Sequence, residues 1–188
     1  MNIGQARQAE PIQRDIWVLV LFEAITFSGY FLVYMYFRAQ NAELFLQSQQ
    51  QLNAGLGFAN TLLLLLSSWF MARCVQASRE RRYAQASRLV YLTIACGALF
   101  VCGKLYEWTT KIRAGIELST NEFYSYYYFL TGIHVLHVLI GFVFLGVVAW
   151  QLHGPQRRNH QIVDDTGIYW HMVDFLWVII FALLYVMR

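Results

Sequence analysis

Between residues 123 and 156 the chain has no Asp, Glu, Lys or Arg. A hydrocarbon core about 30 Å thick is crossed by about 20 predominantly apolar helical residues, so this run alone is long enough to span a membrane. Lipid offers no hydrogen bonds, and a single segment that satisfies all of its own backbone groups is a helix. Four further runs have the same character, which places spans at residues 16–37, 56–75, 89–108, 123–150 and 168–187. The composition agrees: 58% of the 188 residues are hydrophobic and only 13% charged, too apolar for an ordinary soluble domain. The two prolines, Pro11 and Pro155, fall outside the runs and leave each helix unbroken. The expectation is an all-α polytopic membrane protein, a bundle of five transmembrane helices forming one membrane domain over residues 1–188.

The third span is the weakest, because its uncharged part ends at Gly103 and a full crossing needs Lys104 to snorkel outward. Trp17, Trp108, Trp150 and Trp170 lie near span ends, where amphipathic rings favour the interface. Direction follows from the basic flanks. The amino terminus and the second-to-third and fourth-to-fifth connections hold nine arginines: Arg7, Arg14, Arg73, Arg79, Arg81, Arg82, Arg88, Arg157 and Arg158. The other side holds five basic residues, Arg38, Lys104, Lys111, Arg113 and Arg188. That excess predicts a cytoplasmic amino terminus and a periplasmic carboxyl terminus, in a bacterial inner membrane. It also accounts for the net charge of +3 without a nucleic acid. Residues 40–55 read as an external loop. No secretory signal or internal repeat is visible, and Cys74, Cys96 and Cys102 read as small buried residues without chemistry.

Ionisable groups are costly in lipid, so helical spacing says which faces point inward. The first span carries Glu23, Thr26, Tyr30 and Tyr34 on one stripe. The second stacks Asn60 over Ser67 and Thr61 over Ser68. In the fourth, Thr131, His134, His137 and Gly141 share a stripe, with Gly132 and Gly146 allowing a neighbouring backbone close; the fifth places His171 and Asp174 three apart. At 1.5 Å per residue, Glu23 and Asp174 fall about 5 Å from their span centres, His171 about 10 Å, and His134 and His137 near the midplane. These groups are expected to meet, with Glu23 facing the fourth and fifth spans and Asp174 pairing an imidazolium. Glu107 lies about 13 Å out and stays apart from Glu23. His153 and His160 are expected in a solvated loop.

Five segments in order, "LFEAITFSGYF", "NTLLLLLSSW", "KLYEW", "FLTGIHVLHVLIG" and "YWHMVDFLWVIIF", resemble subunit III of the haem-copper oxidases along nearly the whole chain. The family has a long form of seven helices, and this chain resembles the shorter, five-helix form. "NEFYSYYYFLTGIHVLHV" and the closing "YWHMVDFLWVIIFALLYVMR" look most like the subunit-III-like proteins that accompany nitric oxide reductases. The resemblance implies a non-redox accessory subunit of a cytochrome c or quinol oxidase or nitric oxide reductase. Such a subunit has no cofactor of its own. It packs against a large haem-containing catalytic subunit, binds phospholipid, stabilises its partner and supports proton uptake. The family's embedded carboxylate matches Glu23. Its later signatures fall on Glu107, followed here by Trp108 where a tyrosine is more usual, and on His134, His137, His171, Asp174 and Trp177, with Asn60, Glu107 and Trp177 as packing or lipid-contact residues. Loss of the first two helices of the long form also removes one wall of its lipid cleft.

Two rivals remain at this level. One is a small membrane b-type cytochrome, with His134 or His137 and His171 holding haem. The other is a carrier built on Glu23, which the lack of inverted repeats and broken helices disfavours.

Overall fold

A computed structural model describes residues 11–154 and 158–187. Pro155, Arg7, Arg157 and Arg188 lie outside them. The helices are α1 (Pro11–Gln40), α2 (Ala42–Gln50), α3 (Ala54–Arg79), α4 (Tyr83–Arg113), α5 (Glu122–His153) and α6 (His160–Phe181). A π-helical turn, Ala182–Val186, closes the chain. Five of these segments, Ile16–Gln40, Ala54–Arg79, Tyr83–Arg113, Glu122–His153 and His160–Val186, are long and apolar enough to cross a membrane. Each runs past its apolar core because flanking polar residues continue the helix into the headgroup layer.

The ends follow local chemistry. Asn53, Asn121 and Asn159 accept hydrogen bonds from the amides of Leu56, Tyr124 and Gln161 at 3.0, 3.0 and 2.9 Å, capping α3, α5 and α6. Each cap contributes about 1 kcal/mol. Gly115, at φ +76°, ends α4 in the left-handed region that a missing Cβ permits. The tight α3–α4 turn places Arg81 at φ 61° instead, a strained position for a residue with a Cβ.

α3 and α4 form an antiparallel hairpin with the most extensive helix contact, and α6 lies against α1, α3 and α5. Trp170 and Trp177, both fully buried on α6, sit at its heart. Trp170 is therefore no interfacial anchor. α6 begins at His160, so Trp170 lies about three turns inside the helix. Gly141 makes room for it: a Cβ there would come within 2.6 Å of the indole. Gly132 and Gly146, by contrast, have nothing within 4 Å of a Cβ, so neither serves close packing.

Three further expectations are corrected. The 40–55 loop contains α2, which folds over one end of the bundle, with Phe45 packed on Tyr34 and Phe123. Cys102 is exposed, while Cys74 and Cys96 are buried. His160 opens α6, hydrogen-bonded to Ser78 and stacked on Tyr83.

Candidate functional site: the buried polar framework

The inward stripe of α1 brings Glu23 to α5, where its Oε2 lies 3.1 Å from His137 Nε2. The other ring nitrogen, Nδ1, is 2.8 Å from the carbonyl of Ile133. A carbonyl only accepts, so Nδ1 carries a hydrogen. Nε2 is then a bare lone pair in the neutral ring, and a carboxylate at 3.1 Å cannot face it without a proton between them. A hydrogen bond across this gap needs a hydrogen supplied by the carboxyl group or by a doubly protonated ring. Phe27 packs edge-on to the imidazole, and Tyr169 donates to the backbone carbonyl of His137.

The other polar residues separate instead of converging. One turn before His137, His134 is fully buried against the rings of Phe100 and Trp177, centroids 5.6 and 5.1 Å away. Neither of its nitrogens has a hydrogen-bond partner among the described residues. His171 Nδ1 lies 2.6 Å from Ser68 Oγ. Asp174 is buried with no hydrogen-bond partner for either carboxyl oxygen among the described residues, so the expected imidazolium pair is absent. Two further hydroxyls of α3 are occupied by indoles. Trp177 Nε1 donates to Thr61 and Trp170 Nε1 to Ser67, both at 3.0 Å, and the two hydroxyls donate onward to the carbonyls of Gly57 and Thr93. Asn60 is buried against Gly103, where a Cβ would approach its Oδ1 to 2.5 Å.

Lys104 does not snorkel. It is fully buried and spends all three ammonium hydrogens inside the bundle: on Glu107 at 2.8 Å, Tyr185 at 2.8 Å and Tyr127 at 3.2 Å. Tyr185 reaches Glu107 from the π-turn at 2.8 Å. Outward extension is the route open to a lysine without a partner near the end of a span. The i,i+3 spacing of Lys104 from Glu107 was the available signal that both share one face. Nothing comparable in the sequence marked Tyr185, whose aim depends on the π-turn.

A groove of about 490 Å³ runs between α1 and α6, lined almost wholly by apolar groups, with His171 and Ser28 as its polar edge. His171 is the one of the three candidate haem ligands that lines it. His134 has no exposed surface and His137 is engaged at both nitrogens, so the b-type cytochrome ligation does not fit this packing. Among the described residues no group of three or more His, Cys, Asp or Glu is placed to hold a metal ion.

Comparison with known proteins gives a consistent picture. The profile of the family described as cytochrome c oxidase subunit III matches residues 10–188. Cytochrome c oxidase subunit 3 of Thermostichus vulcanus is 32% identical over 173 residues, covering 90% of this chain and 84% of the relative. The Synechocystis sp. protein of the same name is 31% identical over 168 residues, 88% of this chain and 71% of the relative. A heme-copper oxidase subunit I+III of Aeropyrum pernix is 25% identical over 186 residues, 94% of this chain but 23% of that longer polypeptide. Subunit III of these oxidases carries no redox cofactor of its own and partners the catalytic subunit I. Five spanning helices, the ordered polar stripes and the match over nearly every residue place this multi-pass membrane protein in the cytochrome c oxidase subunit III family.

Proposed function

We propose that this chain stabilises the catalytic subunit of a terminal respiratory oxidase in the bacterial inner membrane and supports that subunit's proton uptake through Glu23 and His137. The observation that carries the reading is the 3.1 Å contact between them within the span, which pairs a carboxyl group with an imidazole nitrogen. A carboxylate at this depth is functional by default, because a purely structural role is filled at lower cost by a neutral residue. The arginine-rich end, with Arg73, Arg79, Arg81, Arg82, Arg88 and Arg158, faces the cytoplasm in this reading. Glu23 then lies on the side from which an oxidase draws protons. The α1–α6 groove has the apolar walls that an acyl chain fills, which supports a bound phospholipid there.

Mild-detergent capture of the tagged chain, with mass spectrometry and a visible spectrum, tests the reading. A large haem subunit is expected to accompany the wild type, and assays of the captured complex decide between oxygen as its substrate and the nitric oxide that the closing motifs suggest. A Soret band that stays with the isolated chain and vanishes on replacing His171 would restore the cytochrome reading.

A further inference from the structure

The Lys104–Glu107 pair lies apart from Glu23 and His137 and takes no part in the role proposed for them. We propose that Lys104, Glu107 and Tyr185 form a second proton-exchange site, reached by water from the end of the bundle that α2 covers. Three observations on different elements meet here.

The first is the pair itself. Lys104 has no exposed surface and Glu107 is 3% exposed. A buried ion pair is poor value as a fastener, since well-packed apolar residues of similar volume do as well or better. The second is the π-turn. Turns of this kind close helices at their carboxyl ends. This one, Ala182–Val186, carries Tyr185 and sets its hydroxyl 2.8 Å from both the Lys104 ammonium and the Glu107 carboxylate. The third is an access route. A recess of about 120 Å³, lined by Leu46, Gln49, Gln50, Leu52, Ala54 and Tyr185, has room for several waters. Gln49 contributes an unused donor. Its Oε1 accepts from Arg38, which can only donate, so its Nε2 is left without a hydrogen-bond partner among the described residues. Tyr185 is common to all three features: one part of the residue walls the recess and its hydroxyl holds the pair.

The chemistry balances without another reagent. A hydronium ion arriving through the recess gives one proton to Glu107: its O–H bond breaks, a carboxyl O–H forms, and water remains. Lys104 keeps its charge. Its ammonium lies 4.6, 5.3 and 5.4 Å from the ring centroids of Tyr127, Trp177 and Tyr185, an aromatic cage that holds a cation after the carboxylate is neutralised. The other titratable groups facing this site are Lys111 on α4 and Tyr128 and His134 on α5. Tyr185 is the barrier between water and carboxylate, and its displacement sets the exchange rate.

The full chain in lipid vesicles, followed by infrared spectroscopy through a pH jump, tests this. The Glu107 carboxyl band is assigned by its loss in Glu107→Gln and its shift in Glu107→Asp, the latter retaining the charge should the former fail to fold. The pH is stepped from about 9 to about 4, and the expected result is a Glu107-dependent conversion of carboxylate to carboxylic acid. Gln50→Trp, an exposed position at the recess, is expected to slow that conversion on the order of tenfold by excluding water, with helix content unchanged by circular dichroism. A Glu107 band that ignores pH over this range overturns the proposal. So does an exchange rate that Gln50→Trp leaves unaltered.

Discussion

At Glu23 the difference between a carboxyl and a carboxamide is the transferable proton. With Nδ1 of His137 committed to the Ile133 carbonyl, a glutamine amide can donate to Nε2 and keep the contact. Glu23→Gln is therefore expected to leave assembly with the catalytic subunit intact while shifting the pH profile or shortening the lifetime of its turnover. Profiles and inactivation rates identical to wild type would remove proton handling from this residue. Two other buried carboxyls behave oppositely to each other. Asp174 is buried beside the Ser68 hydroxyl and has no ion-pair partner, and Asp174→Asn keeps an acceptor oxygen there, so it should change stability by less than about 1 kcal/mol, measured by unfolding in detergent. Lys104→Met strands Glu107 in the core and should cost about 3–5 kcal/mol, with most of the loss recovered in Lys104→Met/Glu107→Leu. The contrast shows where sequence reasoning ran short. Periodicity put Asp174 and His171 on one face, but a shared face does not make a contact, and the α3 hydroxyl of Ser68 reached the imidazole first.

Along the elements, hydropathy located every spanning helix because a long charge-free helix is the one regular structure that satisfies its backbone in lipid. It located the ends less well. Asp164 and Asp165 fall outside an apolar window yet belong to α6, and that offset is why Trp170 read as interfacial when it is core. The α3–α6 contact is held by indole-to-hydroxyl bonds at two levels. Ser67→Ala and Thr61→Val each leave a buried indole N–H without its acceptor, and each should cost about 1–3 kcal/mol, with altered tryptophan emission from the corresponding level. In the α3–α4 turn, Arg81→Gly should raise stability by about 1 kcal/mol by relieving the left-handed backbone. A fall in melting temperature there would mean that the arginine side chain matters more than its φ.

For the whole molecule, direction in the membrane rests on the distribution of arginine, and it is open to a direct reading. Alkaline phosphatase fused within the α4–α5 connection near Ile116 should be active in a bacterial host, and fused at Arg81 inactive, as the positive-inside rule requires. The reverse pattern would turn the bundle over and move Glu23 away from the proton-donating side. Stripes and depth turned Glu23 toward the fourth and fifth spans but left several polar groups there as its partner, and only the packing of α1 on α5 selects His137. The Lys104 cluster was not legible, since it joins α4 and α5 to a turn whose shape periodicity does not predict.

α1 meets the bundle along a narrow strip, through ring contacts of Phe27, Tyr30, Tyr34 and Phe37 and through three polar tethers to the spanning helices and the closing turn: Glu23 to His137, Tyr34 to the carbonyl of Leu183, and Arg38 to that of Met187. Its outer faces, with Trp17, Leu21, Phe22, Ile25 and Leu32, are bare. A helix moored at three points with a greasy channel along one flank depends on its surroundings to keep it upright. Extraction that strips away annular lipid should loosen α1 before any other span, so preparations that have lost it would retain a sound four-helix remnant and lack the carboxylate on which coupling to the partner is proposed to depend.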